Sequence, residues 1–230
     1  MSEREKIELL DNIAWHSLVG PHARFAAGTG DARRYARGFS PIVGFAEAAR
    51  PNFDALSLYC DLGEHFYCDG WTGMAPRGWR IDAESTMFKM IWAGDAPQTD
   101  AAPDAIRLGP EHAGEALELA TLTRPGPFGM RTIELGEYFG YFEGTRLVAM
   151  AGERMCAGNL REISGVCAHP DFQNRGMARR LMLKLVRRQL MREETPFLHV
   201  MRDNTVARKL YERLGFRNYR ESAVRVIARC

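Results

Sequence analysis

From residue 177 to 191 the apolar side chains Ala178, Leu181, Met182, Leu185, Val186 and Leu190 recur three and four positions apart, which predicts a helix with one buried face. Residues 204–214 repeat that spacing at Ala207, Leu210, Tyr211 and Leu214, and Gly215 sits where a left-handed C-terminal cap belongs. Upstream the period shortens. Residues 138–142, 146–155 and 161–168 read as successive strands separated by Gly-containing turns, a β-meander, and 197–201 and 223–228 read as two further short strands. Residues 111–122 have helical spacing. In the first half, 5–18 looks helical, 35–44 is interrupted by Gly38 and Pro41, and 80–92 fits either a strand or a short helix. Between the halves, 93–103 (AGDAPQTDAAP) has no apolar period and reads as a linker. The expected organisation is therefore 1–103 and 104–230, with no internal repeat at short period.

A chain of 230 residues with 46% apolar and 26% charged positions can bury a sizeable core and is not disordered. The formal charge is only +2, which gives no electrostatic case for a dedicated nucleic-acid binder. That charge is unevenly divided: residues 1–103 carry 10 Lys+Arg against 14 Asp+Glu, whereas 104–230 carry 21 against 15. An anionic ligand is thus sought in the second half. Five cysteines, Cys60, Cys68, Cys156, Cys167 and Cys230, form no CxxC pair, and the start MSEREKIELL is charged rather than apolar. Reduced thiols in a cytoplasmic protein, no metal and no membrane role are the expectations.

The most informative block is V-C-A-H-P-D-F-Q-N-R-G-M-A, residues 166–178, which joins the end of a strand to the start of the long helix. A helix N-terminus leaves its first N–H groups unpaired and carries partial positive charge. Gly176 and the small Ala178 let a phosphate approach the backbone, and Arg175, Arg179 and Arg180 add full charges. The site suits a pyrophosphate. No Gly-Lys-Ser/Thr follows, so it is not the usual nucleoside-triphosphate loop, and the dinucleotide fingerprint is absent too.

Gln173, Gly176 and Ala178 in the spacing Q-x-x-G-x-A resemble the Q/R-x-x-G-x-G/A loop of the GNAT superfamily of acyl-CoA-dependent N-acyltransferases. V-C-A-H-P before it and N-T-V-A-R-K-L-Y-E-R-L-G-F after the next strand stand in the family's order. The resemblance covers roughly residues 104–230 and looks closest to the glycine N-acyltransferase-like branch. It implies an α/β (α+β) fold with a mixed central sheet flanked by helices, preceded by an N-terminal half that is often a degenerate copy of the same fold.

The same resemblance implies acetyl-CoA as co-substrate. The loop amides of Gln173, Asn174, Arg175, Gly176, Met177 and Ala178 would hold its pyrophosphate, with Arg175 and Arg179 near the phosphates. Backbone groups of Val166, Cys167 and Ala168, on a strand that splays from its neighbour in this family, would pair with pantetheine, and one N–H would polarise the thioester carbonyl. Asn204 and Ala207 would contact the same arm. Tyr211, seven residues past Asn204 on one helix face, would be the general acid for the leaving thiolate, since a phenol is protonated at neutral pH.

Glu162 is the leading candidate for the base: it lies eleven residues before Gln173, a position that resembles that of the base glutamate in the protein-lysine branch of the family. Regular alternation would place it on one face with Ser164, Val166 and Ala168, and Glu153, His169 and His199 are weaker alternatives. His169, before Pro170, reads as shaping the loop entrance, and Cys167 as packing, because direct transfer needs no covalent enzyme intermediate. Arg124, Phe128 and Arg131, in the Pro- and Gly-rich segment 123–132, are candidates for lining the acceptor pocket. The expected reaction is direct acetyl transfer to an amine of a small molecule or amino acid, by a monomer or homodimer. A non-catalytic acyl-CoA-binding module, or a protein acetyltransferase whose N-terminal half selects the substrate, are the alternatives.

Overall fold

The computed structural model describes residues 3–230, so the first two residues of the charged start lie outside it. Helices α1 (Glu3–Asp11) and α2 (Ile13–Val19) lead into a small antiparallel sheet of β1 (Ala26–Gly28), β2 (Ala32–Tyr35) and β3 (Val43–Phe45), then the short α3 (Phe53–Ser57). Next come β4 (His65–Asp69), β5 (Trp79–Trp92), β6 (Ile106–Leu108) and α4 (Ala113–Thr123). The meander β7 (Tyr138–Glu143), β8 (Arg146–Ala157) and β9 (Leu160–Ala168) follows, then α5 (Met177–Met191), β10 (Thr195–Met201), α6 (Thr205–Leu214) and β11 (Phe216–Arg229). The meander and the helices α4, α5 and α6 form where the spacing predicts them, and Gly215 caps α6 in the left-handed conformation.

Strands β4 to β11 make one sheet in the order β4-β11-β5-β10-β9-β8-β7-β6. Every neighbouring pair is antiparallel except β9 and β10. Segment 80–92 is a strand: β5 is held along its length by β11 on one edge and by β10 on the other. Strands on both sides of residue 103 therefore share a single sheet, and 93–103 divides the sequence without dividing that sheet. The expected helix 5–18 is two helices, interrupted at Asn12, whose amide nitrogen donates to the Phe45 carbonyl at 2.8 Å.

Strand alternation sends side chains to two different layers. On one face, Leu181, Met182, Leu185 and Val186 of α5 and Tyr211 of α6 pack with Ile163, Leu198 and Val200. On the other, Leu10, Ile13, Ala14 and Leu18 of α1 and α2 pack with Met155, Leu160 and Phe197, while Ala116, Leu119 and Ala120 of α4 pack with Met150 and Cys167. Beyond them, Phe45, Phe53, Trp71 and Trp79 fasten the small sheet to β4 and β11.

The first half is tied in by a buried charge. Lys89 on β5, 1% exposed, reaches the Asp69 carboxylate at 2.8 Å and the carbonyls of Leu10 and Asp11 at 3.0 and 3.2 Å. A cation at those carbonyls also suits the negative end of α1. Lys89→Met removes the cation of a buried ion pair and leaves Asp69 only its hydrogen bond from Ser222, so we expect a loss of about 3 kcal/mol of unfolding free energy in urea titration.

Candidate active site

The loop between β9 and α5 is built as an open cradle. Asn174 and Gly176 both have positive φ, 62° and 75°, which turns successive amides toward one side as in an anion-binding nest. A Cβ at Gly176 would meet nothing within 4 Å, so its outer face is clear for a ligand. Gly176 is the N-cap of α5 and no side chain caps it; among the described residues, the N–H groups of 174–179 find no acceptor within the protein. The first bond of the turn is that of the Arg180 N–H to the Gly176 carbonyl at 3.0 Å. Arg175 stacks over Phe172 at 4.6 Å and donates to the Asp171 carbonyl, whereas Arg179 is exposed. Arg180 is drawn away instead, to Ala101 and Asp104.

Beside this loop the sheet opens. The parallel pairing of β10 with β9 runs only from Thr195↔Leu160 to Leu198↔Ile163, after which β10 continues along β5 to Met201 while β9 turns away with β8. From Ser164 onward, the edge of β9 that faced β10 is released. The cause is local. Gly165 sits at φ 64°, and the register of β9 against β8 shifts there, between Met150↔Cys167 and Gly152↔Ser164. The regular alternation expected over 162–168 is consequently broken: Ile163, Val166 and Ala168 face α5, whereas Leu160 and Cys167 face the opposite layer. Glu162 belongs with Leu160, not with Val166 and Ala168.

A cavity of about 290 Å³ passes through this opening. On the α5 and α6 side it is lined by Val166, Asn204, Ala207 and Tyr211, and on the α2 side by Ile13, Ala14, Tyr67, Asp69, Arg154 and His199. Asn204 caps α6 by accepting the Ala207 N–H at 3.1 Å, which fixes the amide at the cavity wall. Tyr211 is 8% exposed, and burial pushes its phenol up to about 12, so it enters any neutral-pH reaction as a proton donor.

Glu162 is fully buried and accepts four hydrogen bonds. Arg154 Nη2 and His199 Nδ1 donate to Oε1 at 2.6 and 2.8 Å, and Arg154 Nε and the Met155 N–H donate to Oε2 at 2.9 and 3.1 Å. Burial by itself raises this carboxyl; the Arg154 charge and the donated bonds outweigh it and hold Glu162 far below the usual carboxylate range. Such a group binds protons poorly, and it does not line the cavity. His199 does, and its Nε2 is buried without a partner.

The remaining expected positions are placed as follows. Cys167 is buried against α4 with its thiol raised to about 11 by burial, so it is no ready nucleophile. His169 accepts the Asp171 N–H and meets Arg146, shaping the loop entrance. Glu153 is consumed by Arg192, Gln189 and the Glu137 N–H. Arg124, in the left-handed conformation after α4, lines the cavity. Phe128 packs edge-on against Tyr138, and Arg131 pairs with Glu134 over the Phe39 ring; neither reaches the cavity. Arg154 and the walls from the first half carry no motif of their own.

The family model described as FR47-like protein matches residues 138–226. A crystal structure from Novosphingobium aromaticivorans DSM 12444, described as an acetyltransferase from the GNAT family, is 32% identical, covers 96% of this chain and 98% of its own, and superposes with a TM-score of 0.86. The GCN5-related N-acetyltransferase from Kribbella flavida (13% identity, 93% of each chain, TM-score 0.60) shares the fold. So does the GCN5-related N-acetyltransferase-like protein from Streptococcus suis 89/1591 (14% identity, 99% of this chain and 98% of its own, TM-score 0.58). No curated protein matches the sequence significantly. The chain belongs to the GNAT family of acetyltransferases.

At Gly165 a Cβ would lie 3.1 Å from the Tyr138 ring and would have to keep a positive φ. Gly165→Val, β-branched at that conformation, is expected to lower unfolding free energy by about 1–3 kcal/mol, read as a reduced denaturant midpoint.

Proposed function

We propose that the protein transfers an acetyl group from acetyl-CoA directly to the amine of a small molecule or amino acid within a ternary complex. The observation that carries this reading is the cavity through the parted strands, which joins the side of the unpaired α5 amides to the side of α2. In the proposal the diphosphate of the co-substrate rests on the N–H groups of 174–179, with Arg175 and Arg179 nearby. The pantetheine arm pairs with the released edge at Val166, Cys167 and Ala168, next to Asn204 and Ala207.

A buried N–H on that edge polarises the thioester carbonyl, and Tyr211 protonates the departing sulfur. On the α2 side the apolar lining of Ile13, Ala14, Ile42, Tyr67 and Met155 surrounds the polar groups of Asp69, Arg154 and His199, with Arg124 as the exposed cation at the wall. We therefore place there an amine with an apolar body, and assign any acceptor carboxylate to Arg124. Chemistry resides in residues 104–230, and residues 1–103 supply the acceptor wall, an organisation like the glycine N-acyltransferase branch. The cytoplasmic setting belongs to the same proposal, supported by five cysteines that are all free thiols.

Steady-state assay of CoA release against a panel of amines tests the reaction. Tyr211→Phe is expected to lower kcat by about 10²-fold with acetyl-CoA affinity retained, and normal turnover in that variant would remove Tyr211 as the acid. Gly176→Asp places a carboxylate where the diphosphate would lie. Calorimetry should show acetyl-CoA binding lost in a folded protein, because the added side chain has open space and only the local backbone strain to bear.

A further inference from the structure

The proposed transfer releases one proton that needs an acceptor in the site. An amine reaches the site as an ammonium and must lose a proton before its lone pair can attack. Glu162 is poorly placed to take it, with four donors on its two oxygens and no surface on the cavity.

Resting on that reading, we propose that His199 Nε2 is the general base toward the acceptor amine, and that Glu162, clamped by Arg154, is the positioning residue that fixes the imidazole tautomer. An ionised carboxylate can only accept, so the 2.8 Å contact to Glu162 Oε1 puts a proton on His199 Nδ1, and in the neutral imidazole that tautomer leaves the lone pair on Nε2. That nitrogen is buried and has no partner in the protein, on a side chain 8% exposed that lines the cavity. A buried acceptor without a donor is costly unless a ligand or water supplies one. The Phe197 ring, edge-on at 5.7 Å, restricts the imidazole further.

The position is right as well as the chemistry. His199 is the first β10 residue past the last pairing with β9, so it stands at the apex of the opening. It alternates to the α2 face, between Leu198 and Val200 on the opposite one, whereas Tyr211 lies on the α5 and α6 face. Base and acid thus flank the gap. His199 Nε2 takes one proton from the ammonium and passes it to solvent. The neutral nitrogen attacks the thioester carbonyl carbon, the C–N bond forms and the C–S bond breaks with its electron pair leaving on sulfur. The Tyr211 hydroxyl protonates that sulfur, and the second nitrogen proton restores the phenol, so one proton is released overall. The charged and titratable groups around His199 are Glu162 and Arg154 on β9 and β8, Lys89 opposite it on β5, Tyr67 and Asp69 on β4, Tyr35 on β2 and Arg124 after α4.

His199→Gln and His199→Ala are compared with the wild type for acetyl-CoA affinity, kcat and the pH dependence of kcat with an alkylamine acceptor. We expect unchanged acetyl-CoA affinity and kcat reduced about 10²-fold at neutral pH. The deficit should shrink as pH rises toward the pKa of the amine, and added imidazole should partly rescue the Ala variant. For Glu162, the paired variant Glu162→Gln with Arg154→Met avoids an unmatched buried charge. It is expected to lower kcat without changing acetyl-CoA affinity. Wild-type kcat and pH profile in both His199 variants overturn this inference alone. Absence of acetyl-CoA binding and of turnover with every amine in the wild type overturns the acyltransferase reading and this inference with it.

Discussion

The opening between β9 and β10 is the constraint on which the site depends. Two parallel strands in the middle of an eight-stranded sheet would normally pair along their whole length, yet these stay together for only four register positions. Each buried N–H or C=O freed by such a parting costs about 1–3 kcal/mol if it stays unsatisfied, so the arrangement persists only because the rest of the sheet imposes it. Strands β5 and β8 hold the two separating strands from their outer edges. Gly165 then supplies the bend that β9 needs. The exposed main-chain edge is what an extended amide-bearing arm would pair with, and the cradle at α5 lies one short loop away.

Buried charge keeps that gap in shape. Arg154 crosses from β8 to Glu162 on β9 below the point of divergence, and Glu162 in turn holds His199 on β10, so one carboxylate binds all three strands where the ladder ends. Ion pairs of this kind contribute little net stability compared with apolar packing, but they punish any arrangement that separates them. Their value here is positional. On the neighbouring edge, Lys89 does similar work for α1 and β4. The sheet's centre is thus braced electrostatically at the place where its hydrogen bonds are withdrawn.

What the chain reveals by inspection follows from how local each signal is. The buried stripe of α5, the α6 stripe ending at Gly215 and the three meander strands are all written within windows of fifteen residues or fewer, and they form as the spacing predicts. The open cradle before α5 is legible for the same reason, since a strand, a Gly-containing turn and a helix start are contiguous. The strand β5 was ambiguous because Met87 and Met90 are three apart, a helical interval, and only its two partners from the distant second half decide the matter. The shared sheet is not legible in the sequence, because pairing between residues 79–92 and 216–229 leaves no mark on either segment alone. Strand parity at Glu162 fails for a subtler cause. One glycine in the left-handed region reverses the face of every later residue on β9, and glycine in a strand does not announce its φ.

The layered sheet also favours the proposed single-step transfer over a covalent relay. A relay needs a nucleophile at the gap, and Cys167, the thiol nearest in sequence, points to the α4 layer with its proton held by burial. Direct attack instead needs a proton acceptor where the nitrogen arrives and a donor where the sulfur departs. These two functions must be kept apart, because a phenol beside a free imidazole would satisfy it and disarm both. Alternation along β10 and the placement of α6 put Tyr211 and His199 on opposite faces of the sheet, and both line the cavity between them. The proposed proton donor and proton acceptor are therefore separated by the backbone itself, and a bound thioester and amine would complete the path between them.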